Sequence, residues 1–232
     1  MKLRLFEARV LAVALLGIVG ALSQLVLARS PQLDASSPRR VGQAFTITND
    51  GDFGPGTLRQ AILDSNATPG ADTLTFGIGS GSKTIRVSVP LPEITDAVTV
   101  DGSTQPGFSG KPIVEIDGTA AGEAVDGFAI SAGGTTIRGL VINGFSGAGI
   151  RIRTLGDNRI VGCYLGTDAA GASARPNGTG IAIDASAGNV IGGANAADRN
   201  VISGNSDSGV AIAGDPNATF SEAHDNAVIG NY

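Results

Sequence analysis

Four arginines, Arg138, Arg151, Arg153 and Arg159, stand on or beside short aliphatic runs in the second half of the chain. Arg138, Arg151 and Arg159 each neighbour an isoleucine (Ile137, Ile152 and Ile160), so on a strand they point to the face opposite it. These three are the candidate ligand-binding residues. Arg159, one repeat beyond Arg138, would form with it a basic ladder suited to an acidic sugar; a solvated outer face accounts for the same residues.

Other chemistry is sparse. Glycoside hydrolysis needs two opposed carboxylates at a set distance, and no paired-aspartate motif stands on a strand-like run. Asp101 and Asp117 each sit in a V-x-[VI]-D-G segment, Val98–Gly102 and Val114–Gly118. There Asp-Gly serves a tight turn with left-handed residues. Two isolated turn aspartates fall short of the roughly six to eight oxygens that calcium takes, so no metal site and no cofactor is expected. The single histidine, His224, lies beside Asp225 in a loop-like stretch. Cys163 is the single cysteine, so no intrachain disulfide can form. It fills a corner slot with no histidine near it in the pattern, where a buried small residue is expected rather than a nucleophile.

A repeat is what must position these residues. From Gly180 to Tyr232 the chain reads GIAI, NVIGG, NVISGN, GVAI and NAVIGNY, and related runs precede it as GFAI, TTIRG, GIRI and NRIVG. They sort into three columns: Gly127, Gly149, Gly180 and Gly209; Thr135, Asn158, Asn189 and Asn226; Leu140, Cys163, Asn200 and Asn231. The first column recurs after 22, 31 and 29 residues, the period of a solenoid whose unit is a coil of three strands with variable corners. Each run is too short to bury its apolar face alone, so it must stack on the next coil about 4.8 Å away. The expected inward ladders are Ile130, Ile152, Ile183 and Ile212 in one column and Ile137, Ile160, Ile191 and Val228 in another. Corners of one or two residues need positive φ, which Gly reaches freely and Asn best among the rest. That assigns Asn158, Asn189, Asn200, Asn226 and Asn231 to structural turns, with amides free to hydrogen-bond from coil to coil.

In NVIGG (Asn189–Gly193), RNVISGN (Arg199–Asn205), GCYLGTD (Gly162–Asp168) and GNY (Gly230–Tyr232), the chain resembles the right-handed parallel β-helix repeat proteins of pectate-lyase-like architecture. GTLRQAI (Gly56–Ile62) is similar to a short G-[ST]-L-R-[EQ]-A-I segment near the N-terminus of secreted bacterial members. The resemblance covers about residues 44–232 and implies an all-β fold, a right-handed parallel β-helix of three-strand coils with a short N-terminal capping α-helix. For hydrolases of this fold it implies an aspartate cluster on one sheet with a histidine and a basic pair one coil away. For lyases it implies an Arg or Lys base near calcium. Neither set is complete here.

The 232 residues suffice for one domain with a real core. A net charge of −5 argues against nucleic acid or an anionic membrane surface as partner. Residues 1–28 read as a secretory signal: Lys2 and Arg4, the apolar run Val10–Leu22, and a small residue closing Val26–Ala28. An uncleaved anchor is the alternative. Residues 29–43 form a polar linker. Residues 44–125 hold the cap and first irregular coils, and 126–232 the regular repeats. Thr57 and Gln60 frame a capping box for a helix whose apolar face is Leu58, Ala61 and Ile62. Corner insertions fall at Thr167–Thr179, Ala194–Arg199 and Asp215–Asp225. The function expected is that of a secreted or cell-surface protein with a structural, adhesive or glycan-binding role. The alternative is a polysaccharide lyase or glycoside hydrolase acting on an acidic polysaccharide. Partners would be a polysaccharide or a cell-surface component, with no nucleic acid and no membrane after signal cleavage. An uncovered last coil, Gly230–Tyr232 being cut short relative to Gly162–Asp168, would favour end-to-end self-association or a place within a longer protein.

Overall fold

The computed structural model describes residues 42–214 and 223–232. The N-terminal apolar run and nearly all of the linker lie outside the described residues, as does most of the insertion before Asp225. Among the described residues, no helix is long and apolar enough to cross a membrane.

The described residues open with β1 (Ala44–Ile47), α1 (Leu58–Ala67), β2 (Asp72–Phe76) and β3 (Lys83–Arg86). Strands then come in threes: β4 (Val98–Asp101), β5 (Val114–Asp117) and β6 (Phe128–Ile130), followed by β7 (Thr136–Arg138), β8 (Leu140–Asn143) and β9 (Ala148–Arg153). The next are β10 (Arg159–Val161), β11 (Tyr164–Leu165) and β12 (Thr179–Asp184), then β13 (Val190–Gly192), β14 (Val201–Ile202) and β15 (Val210–Ala213), before β16 (Ala227–Ile229). They form three sheets, in the orders β1-β2-β4-β7-β10-β13-β16, β3-β5-β8-β11-β14 and β6-β9-β12-β15. Every strand pairing is parallel. Among the described residues the architecture is all-β, three parallel sheets visited in rotation, with one α-helix.

The core lies between the sheets. In the seven-stranded sheet Leu74, Val100, Ile137, Ile160, Ile191 and Val228 fall in one inward row. In the four-stranded sheet Ile130, Ile152, Ile183 and Ile212 do the same. All are buried except the last of each row: Val228 is 48% exposed and Ile212 44%. These two depart from the buried ladder expected of them. Among the described residues no strand stacks beyond β15 or β16, so nothing covers them.

Helix α1 starts where Thr57 accepts the backbone N–H of Gln60 at 3.3 Å. The Gln60 side chain does not reach back, as a reciprocal capping box requires; it donates to Asp64 Oδ1 at 2.8 Å, one turn on. Leu58, Ala61, Ile62 and Ser65 are buried, and the helix packs on β1 and β2.

The corners differ from expectation in a way that explains the asparagines. Among the described residues the non-glycine positions at positive φ are Ala124, Thr154, Asp157, Ala185 and Asp225, and none is an asparagine. In the column of Thr135, Asn158, Asn189 and Asn226 the left-handed position is the residue just before: Gly134, Asp157, Gly188 and Asp225 have φ of 72°, 61°, 70° and 55°, whereas Arg199, before Asn200, has φ of −69°. This frees the asparagine side chain to run along the stack. Asn158 donates to Asn189 Oδ1 at 2.9 Å, and Asn189 to Asn226 Oδ1 at 2.8 Å. At the second corner Asn200 donates to Asn231 Oδ1 at 3.0 Å. A third, unexpected ladder joins Asn177 to Asn205 at 3.1 Å. The Asp-Gly pairs are also not left-handed turns. A Cβ at Gly118 would sit 2.4 Å from the Phe145 ring, and one at Gly102 would sit 2.2 Å from the Gly139 carbonyl oxygen, so close approach excludes any side chain.

Candidate functional site

The three candidate arginines are not brought together. Arg138 and Arg159 are on the seven-stranded sheet and Arg151 on the four-stranded one. Register places Arg159 over Thr136, while Arg138 aligns with Val161, so the two do not stack as a basic ladder. The reason is that Asn158 sits over Thr135, which sets Arg159 two positions short of Arg138. Each arginine instead faces an aspartate: Arg138 Nε is 3.4 Å from Asp101, and Arg159 Nη2 is 3.1 Å from Asp198. Arg151 of β9 bridges Asp126, just before β6, at 2.7 Å and Asp184 of β12 at 2.8 Å, and Arg153 lies 3.8 Å from both. Burial is the largest single influence on Arg151 and pulls its pKa down. The bonds to the two aspartates outweigh it, and the net shift is upward.

A different set of residues converges on the outer face of the five-stranded sheet. In β5, Val114 and Ile116 point inward, which turns Glu115 and Asp117 outward two residues apart. Glu115 accepts from Thr84 Oγ1 of β3 at 2.9 Å, from Asn143 Nδ2 of β8 at 2.8 Å and from Arg175 Nη1 at 3.1 Å. Asp117 accepts the Thr119 backbone N–H at 3.0 Å and its hydroxyl at 2.7 Å. Arg86 Nε, from the neighbouring β3, is 3.8 Å from Asp117 Oδ2.

Two loops wall this face. The insertion after β11 is a tight hairpin: Thr167 and Ala174 form an antiparallel bridge, and Asp168 Oδ1 accepts the backbone N–H groups of Ala172 and Ser173. Those two bonds hold the Asp168 carboxyl below the usual carboxylate range. The returning arm carries Arg175 to Glu115 and borders a cleft of about 520 Å³ with Asp117, Thr119 and Gly144. On the other side Asn49, Asp50, Gly51 and Asp52 border a cleft of about 350 Å³ with Thr84 and Arg86. The Arg86–Asp117 contact is the divide between the two clefts.

The second loop is fixed by Arg59, in the first turn of α1. Its guanidinium donates to Asp52 Oδ1 at 2.6 Å and to the carbonyls of Val89 at 2.8 Å and Pro90 at 2.6 Å, with its charge 4.8 Å above the Phe53 ring. Asp52 Oδ2 accepts the Ser88 backbone N–H at 2.9 Å. Burial, the largest single effect, raises the Asp52 pKa. The bonds from Ser88 and Arg59 reverse this, leaving it lowered.

Elsewhere the chemistry is structural. Cys163 is fully buried at the start of the second asparagine ladder, its backbone N–H bonded to Asn200 Oδ1 at 2.8 Å. Burial pushes its thiol up to about 12. His224 Nδ1 meets Asp225 Oδ2 at 2.9 Å on the surface, beside a groove of about 740 Å³ that they share with Thr154, Leu155, Asp157 and Gly188. Among the described residues, no group of three or more His, Cys, Asp or Glu side chains is placed to hold a metal ion.

Sequence reasoning did not single out Glu115, Arg86, Thr84, Arg175, Asn177 or Asn205. The V-E-I-D alternation of Val114–Asp117 carries a readable signal, since a strand with Val and Ile inward must present both carboxylates on one face. Asn177 and Asn205 stand three and four residues before the column glycines Gly180 and Gly209. Compared with models of known protein families and with curated protein sequences, the chain matches none.

Proposed function

We propose that this chain is a right-handed parallel β-helix acting outside the cytoplasm as a glycan-binding, adhesive surface, with the outer face of the five-stranded sheet as its binding face. The hand is inferred from connectivity: chain segments that leave a sheet and return to a parallel strand of the same sheet cross over right-handedly in nearly all proteins. The extracytoplasmic setting rests on the basic, apolar and small-residue order of residues 1–28.

The observation that supports binding is the pair of clefts meeting at Arg86 and Asp117, walled by Asn49–Asp52 on one side and Ala174–Pro176 on the other. Two adjoining open clefts with both donors and acceptors on their walls form a trough that suits a chain of hydroxyl groups. Glu115 and Asp117 are already engaged by fixed donors from Thr84, Asn143, Arg175 and Thr119. That arrangement suits holding a ligand more than proton transfer to it.

The test is a panel of immobilised glycans probed with residues 29–232 and with the Thr84→Ala and Arg175→Ala variants. Retention on at least one glycan, weakened in variants with an unchanged circular dichroism spectrum, is expected. Retention on none, or retention indifferent to both substitutions, overturns the reading. Polygalacturonate, with and without calcium, is expected to yield neither unsaturated nor reducing ends. Sustained release that is lost on mutating Arg138 or Arg159 would replace adhesion with lyase or hydrolase action on an acidic polysaccharide.

A further inference from the structure

The charges around the trough decide which sugars it takes. Asp50, Asp52, Glu115 and Asp117 stand on or beside its walls against Arg59, Arg86 and Arg175, one more carboxylate than guanidinium. The arginines are also unequally free. Arg59 is spent on Asp52 and two loop carbonyls, and Arg175 on Glu115. Only Arg86 is loosely held, at 3.8 Å from Asp117 and 79% exposed along its side chain. A uronate chain would bring one negative charge per ring past this row of fixed carboxylates, with a single available cation to offset them. Like charges in a partly desolvated trough repel, so an acidic glycan is disfavoured.

Uncharged sugar hydroxyls meet no such penalty. Adjacent hydroxyls donate to a carboxylate and accept from a guanidinium, and Asp117 with Arg86 presents that combination where the two clefts meet. The loop Asn49–Asp52 that walls one cleft continues into an exposed aromatic side chain. Phe53 follows Asp52 in the bordering loop, is braced by Arg59 at 4.8 Å from its ring centroid, and is 61% exposed. An exposed ring held on one side by a guanidinium is a rigid platform for the apolar C–H face of a pyranose.

Resting on the glycan-binding reading above, we infer that the trough selects an uncharged polyhydroxylated oligosaccharide and rejects uronates. Asp117 and Arg86 receive neighbouring hydroxyls, and Phe53 stacks on a ring at one end.

The experiment is calorimetric titration of residues 29–232 with mannohexaose, cellohexaose, xylohexaose and hexagalacturonate. At least one neutral hexaose is expected to bind with an affinity that changes less than about twofold between roughly 50 and 500 mM salt, because no net charge is exchanged. Phe53→Ala and Arg86→Ala should each weaken it by about tenfold, the loss of one stacking or charge-assisted contact. Both positions are exposed, so the variants should fold, and a retained thermal transition confirms it. Hexagalacturonate should give no heat. If it binds, weakens with salt and depends on Arg86, the neutral-sugar inference is wrong while glycan binding stands. If no sugar binds, both fall. If a neutral sugar binds but ignores Phe53→Ala and Arg86→Ala, the trough is not the site.

Discussion

Asn200 donates its side-chain amide to Asn231 Oδ1 at 3.0 Å, and its own Oδ1 accepts the Cys163 backbone N–H at 2.8 Å. A second amide hydrogen reaches the Ile160 carbonyl at 2.9 Å. One buried side chain thus satisfies groups in the circuits before and after its own. Asn200→Ala orphans a buried donor and acceptor and should cost about 2 kcal/mol or more. Cys163 occupies the preceding slot of the same column, its Sγ 3.7 Å from the Ile137 carbonyl and its backbone bonded to Asn200. An asparagine there would extend the ladder, so Cys163→Asn should cost less than Asn200→Ala. Urea midpoints of the two variants check the ranking; the reverse order would show that the slot cannot accept an amide.

Ile191 and Arg159 test the inward and outward assignment of the seven-stranded sheet. Ile191 is fully buried between Ile160 and Val228, whereas the Arg159 side chain is 45% exposed. Ile191→Asp places a carboxylate in an apolar row and should cost at least several kcal/mol, or prevent folding. Arg159→Ala loses an exposed contact to Asp198 and should stay within about 1 kcal/mol of the parent. Equal denaturation midpoints would contradict the register.

Cys163 should make the protein less stable in alkali. Its thiol titrates at about 12 in the fold, against an ordinary 9.0, because burial opposes the thiolate. Above pH 9 the unfolded chain loses this proton while the folded one keeps it, so stability falls with rising pH. The loss approaches about 4 kcal/mol by pH 12 and is absent below pH 9. Cys163→Ala should flatten the stability profile between pH 9 and 10.5 relative to the parent. Parallel profiles over that interval would mean the thiol does not contribute.

Export should remove residues 1–28. Intact mass of protein recovered outside the cytoplasm is expected to start at Arg29. A mass that retains Met1 through Ala28 would mean the apolar run serves as an anchor instead.

What was legible in the chain follows from short-range rules. Alternation in runs such as GIRI and GIAI tells which residue of a strand points inward, and repetition of those runs tells that one isoleucine stacks on the next. The three columns, the helix beginning at Thr57 and the buried corner at Cys163 needed nothing more than local pattern. The V-E-I-D alternation of β5 was equally local, and its paired carboxylates could have been found the same way.

The rest depended on which circuit lies against which. Asn177 bonds to Asn205, 28 residues away, and Arg175 to Glu115, 60 residues away, through insertions whose path no periodicity describes. Local preference marked asparagine as the left-handed turn residue. The folded corner instead gives that conformation to Asp157, Gly188 and Asp225, because the next residue must aim its amide along the stack. The arginines, outward by alternation alone, found aspartates in neighbouring circuits, and the trough arose where two distant loops were carried to the same sheet face. Alternation by itself determined which side of a strand a residue faces. Only register and loop path, set by packing across the three sheets, decided what it meets there.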